Sequence, residues 1–203
     1  MNGRQIIAIL RGVRPNEVVS ISQAVLDAGI DKIEVPLNSP DAFDSIALLA
    51  DAFHDRALIG AGTVLTPQEV VKVHQLGGAM VVSPDCNPDV IKATKALGML
   101  SYPGIFTPTE AFTALRSGAD GIKLFPASGI GPAGLAAMLA VLPSGTRSFA
   151  VGGVGPDTFA PWIGVGVTGF GIGTGLYKPG FSVADVAARA GDIVTAYDRS
   201  VLK

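Results

Sequence analysis

The chain has 203 residues, a formal net charge of −2 and only 16% charged side chains, with a mean hydropathy of +0.45; a chain of this length buries roughly 70% of its unfolded surface and needs no covalent staple. The near-neutral balance, with no run of Lys or Arg, removes the electrostatic term that nucleic-acid binding depends on, and a single cysteine, Cys86, excludes an intramolecular disulfide and any multi-cysteine metal cluster. The longest apolar stretches, Ile6 to Leu10 and Leu135 to Leu142, fall far short of the ~20 residues of a bilayer span, no signal peptide is legible, and the expected location is cytoplasmic.

Strand and helix signals then alternate along the chain. The apolar run from Ile6 to Leu10 ends in Arg11-Gly12, after which Val18, Ile21, Val25 and Ala28 recur at helical spacing on one face. Pro15 opens that helix and Gly29 closes it. A second run around Ile33 precedes a helix opened by Pro40. A third around Leu58 precedes the capping box Thr66-Pro67-Gln68-Glu69 and a stop at Gly77. Runs near Met80 and Met99 lead into helices opened by Pro88 and by a second capping box, Thr107-Pro108-Thr109-Glu110, and closed by Gly98 and Gly118. Runs near Ile122, Ser148 and Val167 lead to helix starts at Pro132, Pro156 and Ser182, the last paired with Asp185. These runs recur about every 20 to 27 residues, eight times in all. Eight β-α units of about 25 residues predict a closed (β/α)8 TIM barrel in a single domain over residues 1–203, with an open doubly wound sheet as the competing topology.

In such a barrel the C-terminal strand ends form the active-site mouth, and side chains alternate between the interior and the helix layer. Along Lys32-Ile33-Glu34-Val35-Pro36-Leu37, the apolar Ile33, Val35 and Leu37 face helices, which sends Glu34 inward. The same parity in Gly121-Ile122-Lys123-Leu124-Phe125-Pro126 sends Lys123 and Phe125 inward. A structural ion pair is the plain reading of such a Lys and Glu. The apolar neighbours of Lys123 argue for more, because desolvation disfavours its ammonium and a neutral amine is a nucleophile toward ketones. Glu34 then supplies the carboxyl that moves protons during imine chemistry. Arg11 shares the parity of Ile7 and Ile9 and can reach the mouth, to orient Glu34 or an anionic substrate. Gly60-Ala61-Gly62-Thr63 offers backbone amides and a hydroxyl to a carboxylate. Val151-Gly152-Gly153-Val154 and Gly171-Ile172-Gly173-Thr174 close the last two strands, the usual place for a phosphate in this fold.

Other signals carry less. Gly164-Val165-Gly166-Val167-Thr168-Gly169 matches a dinucleotide fingerprint in letters but precedes a strand instead of following one. His54 and His74 stand singly, so no metal site is expected. Cys86 follows a strand without a His partner, Lys178 belongs to a solvated loop, and Trp162 is read as packing or interface.

The motifs Ile33-Glu34-Val35, Gly60-Ala61-Gly62-Thr63-Val64, Tyr102-Pro103-Gly104, Lys123-Leu124-Phe125-Pro126 and Gly152-Gly153-Val154 occur in an order and spacing that resembles the class I 2-keto-3-deoxy-6-phosphogluconate and 2-keto-3-deoxy-6-phosphogalactonate aldolases over nearly the whole chain. The resemblance implies a Schiff base on Lys123, proton shuttling by Glu34, and substrate placement by Arg11. It also implies that Gly62 and Thr63 hold the pyruvyl carboxylate, that Phe125 packs by the imine, and that Gly152, Gly153, Gly173 and Thr174 form the phosphate site. Gluconate-type members carry Thr-Leu-Arg where this chain has Pro36-Leu37-Asn38. That departure, with Val151 before the paired glycines and Leu176-Tyr177 after Thr174, looks like the galactonate branch; Gly175 replaces a commonly acidic position.

The expected substrate is therefore a phosphorylated 2-keto-3-deoxy sugar acid, bound without metal or cofactor, and the expected assembly, by resemblance and from the low charge content, is a homotrimer. Alternatives are the gluconate epimer as substrate, a sugar-phosphate epimerase or isomerase using Glu34 as base, and a non-catalytic sugar-phosphate sensor.

Overall fold

The computed structural model describes residues 3–202. Nine short parallel strands among these residues form one sheet: β1 (Ile6–Ile9), β2 (Lys32–Pro36), β3 (Leu58–Gly62), β4 (Met80–Val82), β5 (Leu100–Tyr102), β6 (Gly104–Ile105), β7 (Ile122–Leu124), β8 (Ser148–Val151) and β9 (Gly169–Ile172). The sheet order is β5-β4-β3-β2-β1-β9-β8-β7-β6. Its two ends, β5 and β6, are separated in sequence by Pro103 alone. Proline has no N–H to give, but its carbonyl accepts from the Lys123 amide at 2.8 Å, while the Ser83 amide donates to Tyr102 O on the other side at 3.2 Å. One chain segment therefore joins β4 to β7 and closes the ring, and the eight expected strands are present with the fifth interrupted at its proline.

Around the ring lie α1 (Pro15–Asp27), α2 (Ala42–Phe53), α3 (Pro67–Gln75), α4 (Pro88–Ala96), α5 (Pro108–Arg116), α6 (Ala127–Leu139), α7 (Phe159–Gly164) and α8 (Val183–Val201). The local chemistry of their ends is as the sequence predicts at most sites. The capping boxes at Thr66/Glu69, Thr107/Glu110 and Ser182/Asp185 all form, and the four stop glycines have φ between 74° and 97°. Two proline assignments need correction. Pro40 lies before the helix, which starts at Ala42 after Asp41. Pro132 lies inside α6, whose first turn begins at Ala127 and is broken from the rest at Gly131 (φ 69°). The seventh start at Pro156 is a three-residue 3-10 turn leading into α7.

Strand alternation divides the apolar residues into two layers. Ile6, Ala8, Leu10, Ile33, Val35, Ile122 and Leu124 pack outward against the helices. Ile7, Met80, Val82, Tyr102 and Phe149 fill the cylinder's interior, with Tyr102 edge-on to Phe149 at 5.1 Å. Each such side chain contributes about 1.5–3 kcal/mol by leaving water. Ile7 and Phe149 precede Ile9 and Val151 by two residues, so the apolar plug lies N-terminal to the mouth along these strands. This leaves the C-terminal ends free for polar groups.

Candidate active site

On β2 the inward positions are Lys32 and Glu34, since Ile33 and Val35 belong to the outer layer. On β7, Lys123 lies between Ile122 and Leu124, both fully buried in that outer layer. Glu34 is 1% exposed and Lys123 5%. The parity argument from sequence thus puts both groups inside one barrel. Each feels the other's charge and that of Arg11. Burial pushes the Glu34 carboxyl up to about 7, an effect that the Lys123 and Arg11 cations partly offset. Burial likewise lowers the Lys123 ammonium, with Glu34 opposing and Arg11 adding to the shift. The Lys123 Nζ lies 4.8 Å from the centroid of the Phe125 ring.

Among the described residues Glu34 Oε2 has no hydrogen-bond partner, which leaves a buried carboxyl oxygen for a substrate hydroxyl or a water. The carboxyl presses on Gly62: a Cβ there would meet its oxygens and Cδ at 2.5 to 2.7 Å. Only glycine at position 62 leaves Glu34 its place.

Arg11 is exposed at the rim. Its Nη1 donates to Asn38 Oδ1, and both terminal nitrogens lie 3.5 Å from Thr63 Oγ1. These acceptors are neutral, and no carboxylate of the described residues forms an ion pair with Arg11. A planar cation so placed keeps its charge for an incoming anion. Thr63 itself has φ 56°, a left-handed backbone that a β-branched residue adopts only where its surroundings impose it.

A cavity of about 460 Å³ opens at the C-terminal strand ends; neither Glu34 nor Lys123 lines it, but Phe125, whose ring lies beside Lys123, and Arg11 do. Ile9, Arg11, Thr63, Phe125 and Val151 line one part of it, and Gly152 to Val154 with Gly173 to Gly175 line another. Phe125, expected beneath the mouth, is 38% exposed and forms part of the wall, one residue beyond the end of β7. Gly152 and Gly153 have φ of 90° and 76°, and the Gly152 carbonyl accepts from the Ser128 amide at the start of α6. After β9, the Gly173 carbonyl accepts from the amides of Leu176 (2.9 Å) and Tyr177 (3.0 Å). The amides of Thr174 and Gly175 open this turn without an acceptor inside it, an arrangement suited to an oxyanion.

The remaining candidates stay apart from the site or engaged elsewhere. Cys86 is half-buried, its Sγ donates to Glu110 O, and burial with nearby acids raises its pKa, the opposite of an activated thiol. His54 faces Asp55 on the surface at 2.9 Å, and His74 and Lys178 are exposed. Trp162 packs in the outer core. The fingerprint-like glycines run from the end of α7 to the first residue of β9, so no helix begins at the last of them. Sequence reasoning missed Ile9 and Pro84 as lining residues, and named Val154 only as the end of the Val151-Gly152-Gly153-Val154 motif. All three lie at or just past strand C-terminal ends, and that position was the only signal available.

A desolvated amine and a buried carboxyl inside a closed (β/α)8 barrel, with a glycine-lined cavity at its mouth, are an arrangement open to imine chemistry. The family model described as "Aldolase: KDPG and KHG aldolase" matches residues 1–188, and the chain belongs to that family. It is 47% identical over 196 residues to the 2-dehydro-3-deoxy-6-phosphogalactonate aldolase of Escherichia coli (strain K12), covering 97% of this chain and 96% of that protein. It is also 47% identical over 195 residues to a probable 2-dehydro-3-deoxy-6-phosphogalactonate aldolase of Rhizobium meliloti (strain 1021), covering 96% and 92%. Among solved structures, a native KDPGal structure superposes with a TM-score of 0.96 at 46% identity, covering 98% of this chain and 96% of that one.

Proposed function

We propose that this chain is a class I aldolase that cleaves 2-dehydro-3-deoxy-6-phosphogalactonate to pyruvate and D-glyceraldehyde 3-phosphate, with Lys123 as nucleophile and Glu34 as proton carrier. The carrying observation is the burial of both groups inside one barrel, close enough for each to feel the other's charge. The neutral Lys123 amine adds to the C2 ketone. Protonated Glu34 gives its proton to the departing hydroxyl, and water leaves as the protonated imine forms. Glu34, now a carboxylate, takes the proton of the C4 hydroxyl. The C3–C4 bond breaks, its electrons pass into the iminium to give an enamine, and glyceraldehyde 3-phosphate departs. Protonation of the enamine carbon and hydrolysis of the imine release pyruvate and regenerate the amine. A carboxyl titrating near neutrality is matched to giving and taking protons in one cycle.

Arg11, Gly62 and Thr63 hold the acidic head of the substrate, Phe125 and Val151 wall the reacting carbons, and Gly152, Gly153, Gly173 and Thr174 take the phosphate. The neutral partners of Arg11 and the positive-φ glycines support these roles. All 203 residues are read as one aldolase domain, an expectation whose ends, Met1, Asn2 and Lys203, lie outside the described residues. The assembly is read as a homotrimer in the cytoplasm. The low charged fraction and high mean hydropathy support further burial between subunits, and none of the described helices is long and apolar enough to cross a membrane.

Pyruvate release from the phosphorylated galactonate and gluconate epimers, each with and without chelator, tests the reading. The expected result is a preference for the galactonate epimer of at least about tenfold in kcat/KM, unchanged by chelation. Equal use of the epimers would remove the substrate assignment, and loss of activity on chelation would remove the metal-free mechanism.

A further inference from the structure

The turn after β9 is tied to α1 by contacts that the bond-breaking chemistry does not use. Tyr177 is 2% exposed, and its hydroxyl donates to Glu17 Oε1 at 2.9 Å. The same oxygen accepts the Arg14 amide at 3.1 Å, so Glu17 holds the start of α1 and the phenol at once. Two residues on, Pro179 occupies the space where a Cβ on Gly12 would stand, 2.7 Å from its Cγ. Gly12 in turn donates its amide to Ser39 Oγ at 2.9 Å, beside the Arg11–Asn38 contact. The far end of the turn is fixed as well, since the Tyr177 amide donates to Gly173 O. Residues 173–179 and residues 11–17 thus form one seam along the rim. At one end of that seam is the mouth arginine, and at the other the backbone amides of the turn.

Nothing in the aldol steps requires a phenol at 177; a phenylalanine would fill the same space in the core. The hydroxyl is spent on reaching across to Glu17, from a loop to the helix that follows Arg11. We propose that the Tyr177–Glu17 hydrogen bond makes Tyr177 a positioning residue that sets the distance between Arg11 and the Gly173–Gly175 turn, and thereby the enzyme's selectivity for substrates phosphorylated at the end remote from the acid head. The inference rests on the reading of that turn as part of the phosphate site. Burial and the Glu17 carboxylate both hold the Tyr177 hydroxyl protonated, so the bond persists across the working pH range.

The test compares Tyr177→Phe, Glu17→Gln and Glu17→Ala in the full chain, on phosphorylated and unphosphorylated 2-keto-3-deoxygalactonate. Loss of one hydrogen bond of this kind predicts a rise of about 5- to 20-fold in KM for the phosphorylated acid in Tyr177→Phe. Its kcat should stay within about threefold and KM for the unphosphorylated acid should not change. Glu17→Gln keeps an acceptor oxygen and should stay close to the parent, whereas Glu17→Ala, which also frees the Arg14 amide, should lose at least as much as Tyr177→Phe on the phosphorylated acid. An equal change on both substrates, or no change on either, would overturn the proposal in favour of a bond that only supports the fold. Should the parent release no pyruvate from either acid, the aldolase reading fails. Calorimetric titration with inorganic phosphate then still decides the matter: weaker binding by Tyr177→Phe supports the positioning role, and unchanged binding overturns it.

Discussion

Lys123→Met is expected to lower kcat for aldol cleavage by at least about 10⁴-fold, the scale on which enzymes lose activity when a covalent nucleophile is removed. Methionine keeps the length of the stem and fills its space inside the barrel beside Phe125, so the loss reports the amine and not the packing. Lys123→Arg should be as inactive, although it keeps the positive charge. A guanidinium stays protonated under any working condition and cannot become a nucleophile, whereas burial lowers the lysine toward its neutral form. The pair of variants separates two roles for position 123. If the cation merely polarised a carbonyl during cleavage, arginine would retain measurable turnover. Steady-state pyruvate release at saturating substrate is the assay, and activity within tenfold of the parent in either variant would contradict the covalent role.

Glu34→Gln should lower kcat by about 10²- to 10⁴-fold, the usual effect of removing a general acid–base group, and should abolish the pH dependence of kcat/KM near 7. It should also make the protein more stable in mild alkali. The carboxyl's pKa in the fold, about 7, stands above its value of 4.5 in the open chain, so the folded state holds this proton more firmly than the unfolded state does. The stability from this group is fully present below pH 4.5 and is lost as pH rises through 7. The full loss is about 3 kcal/mol. Glutamine cannot ionise, so in denaturant titrations at pH 8 the variant should exceed the parent by up to about 3 kcal/mol, and the difference should vanish toward pH 4.5. A parent more stable than Glu34→Gln at pH 8 would show that Glu34 is not held in a desolvated site.

The barrel and the inward direction of Glu34 and Lys123 were legible for a simple reason: both sit in strands whose flanking residues are apolar, and strand alternation has a period of two. Helix starts were legible where a proline or a Thr–Glu box stood at the first turn. They failed at α2 and α6, where the first helical residue is an alanine and the proline lies two residues before it or five after it. The interruption at Pro103 was missed because the apolar run is continuous on both sides of it. The partners of the site were out of reach for a different reason. The Arg11–Asn38 and Tyr177–Glu17 contacts join residues 27 and 160 positions apart, and only the ring's closure brings them together. The left-handed Thr63 carries no sequence signal at all, since threonine is not a residue that favours that conformation.

The central claim is that an uncharged Lys123 amine captures the keto group of the substrate. Incubating the protein with pyruvate and sodium borohydride, then mapping peptides by mass spectrometry, tests it most directly. The account predicts a reduced pyruvyl adduct on the peptide carrying Lys123, with activity lost in proportion to labelling. An active, borohydride-treated protein with Lys123 unmodified, or an adduct carried instead by Lys32 or Lys178, would contradict it.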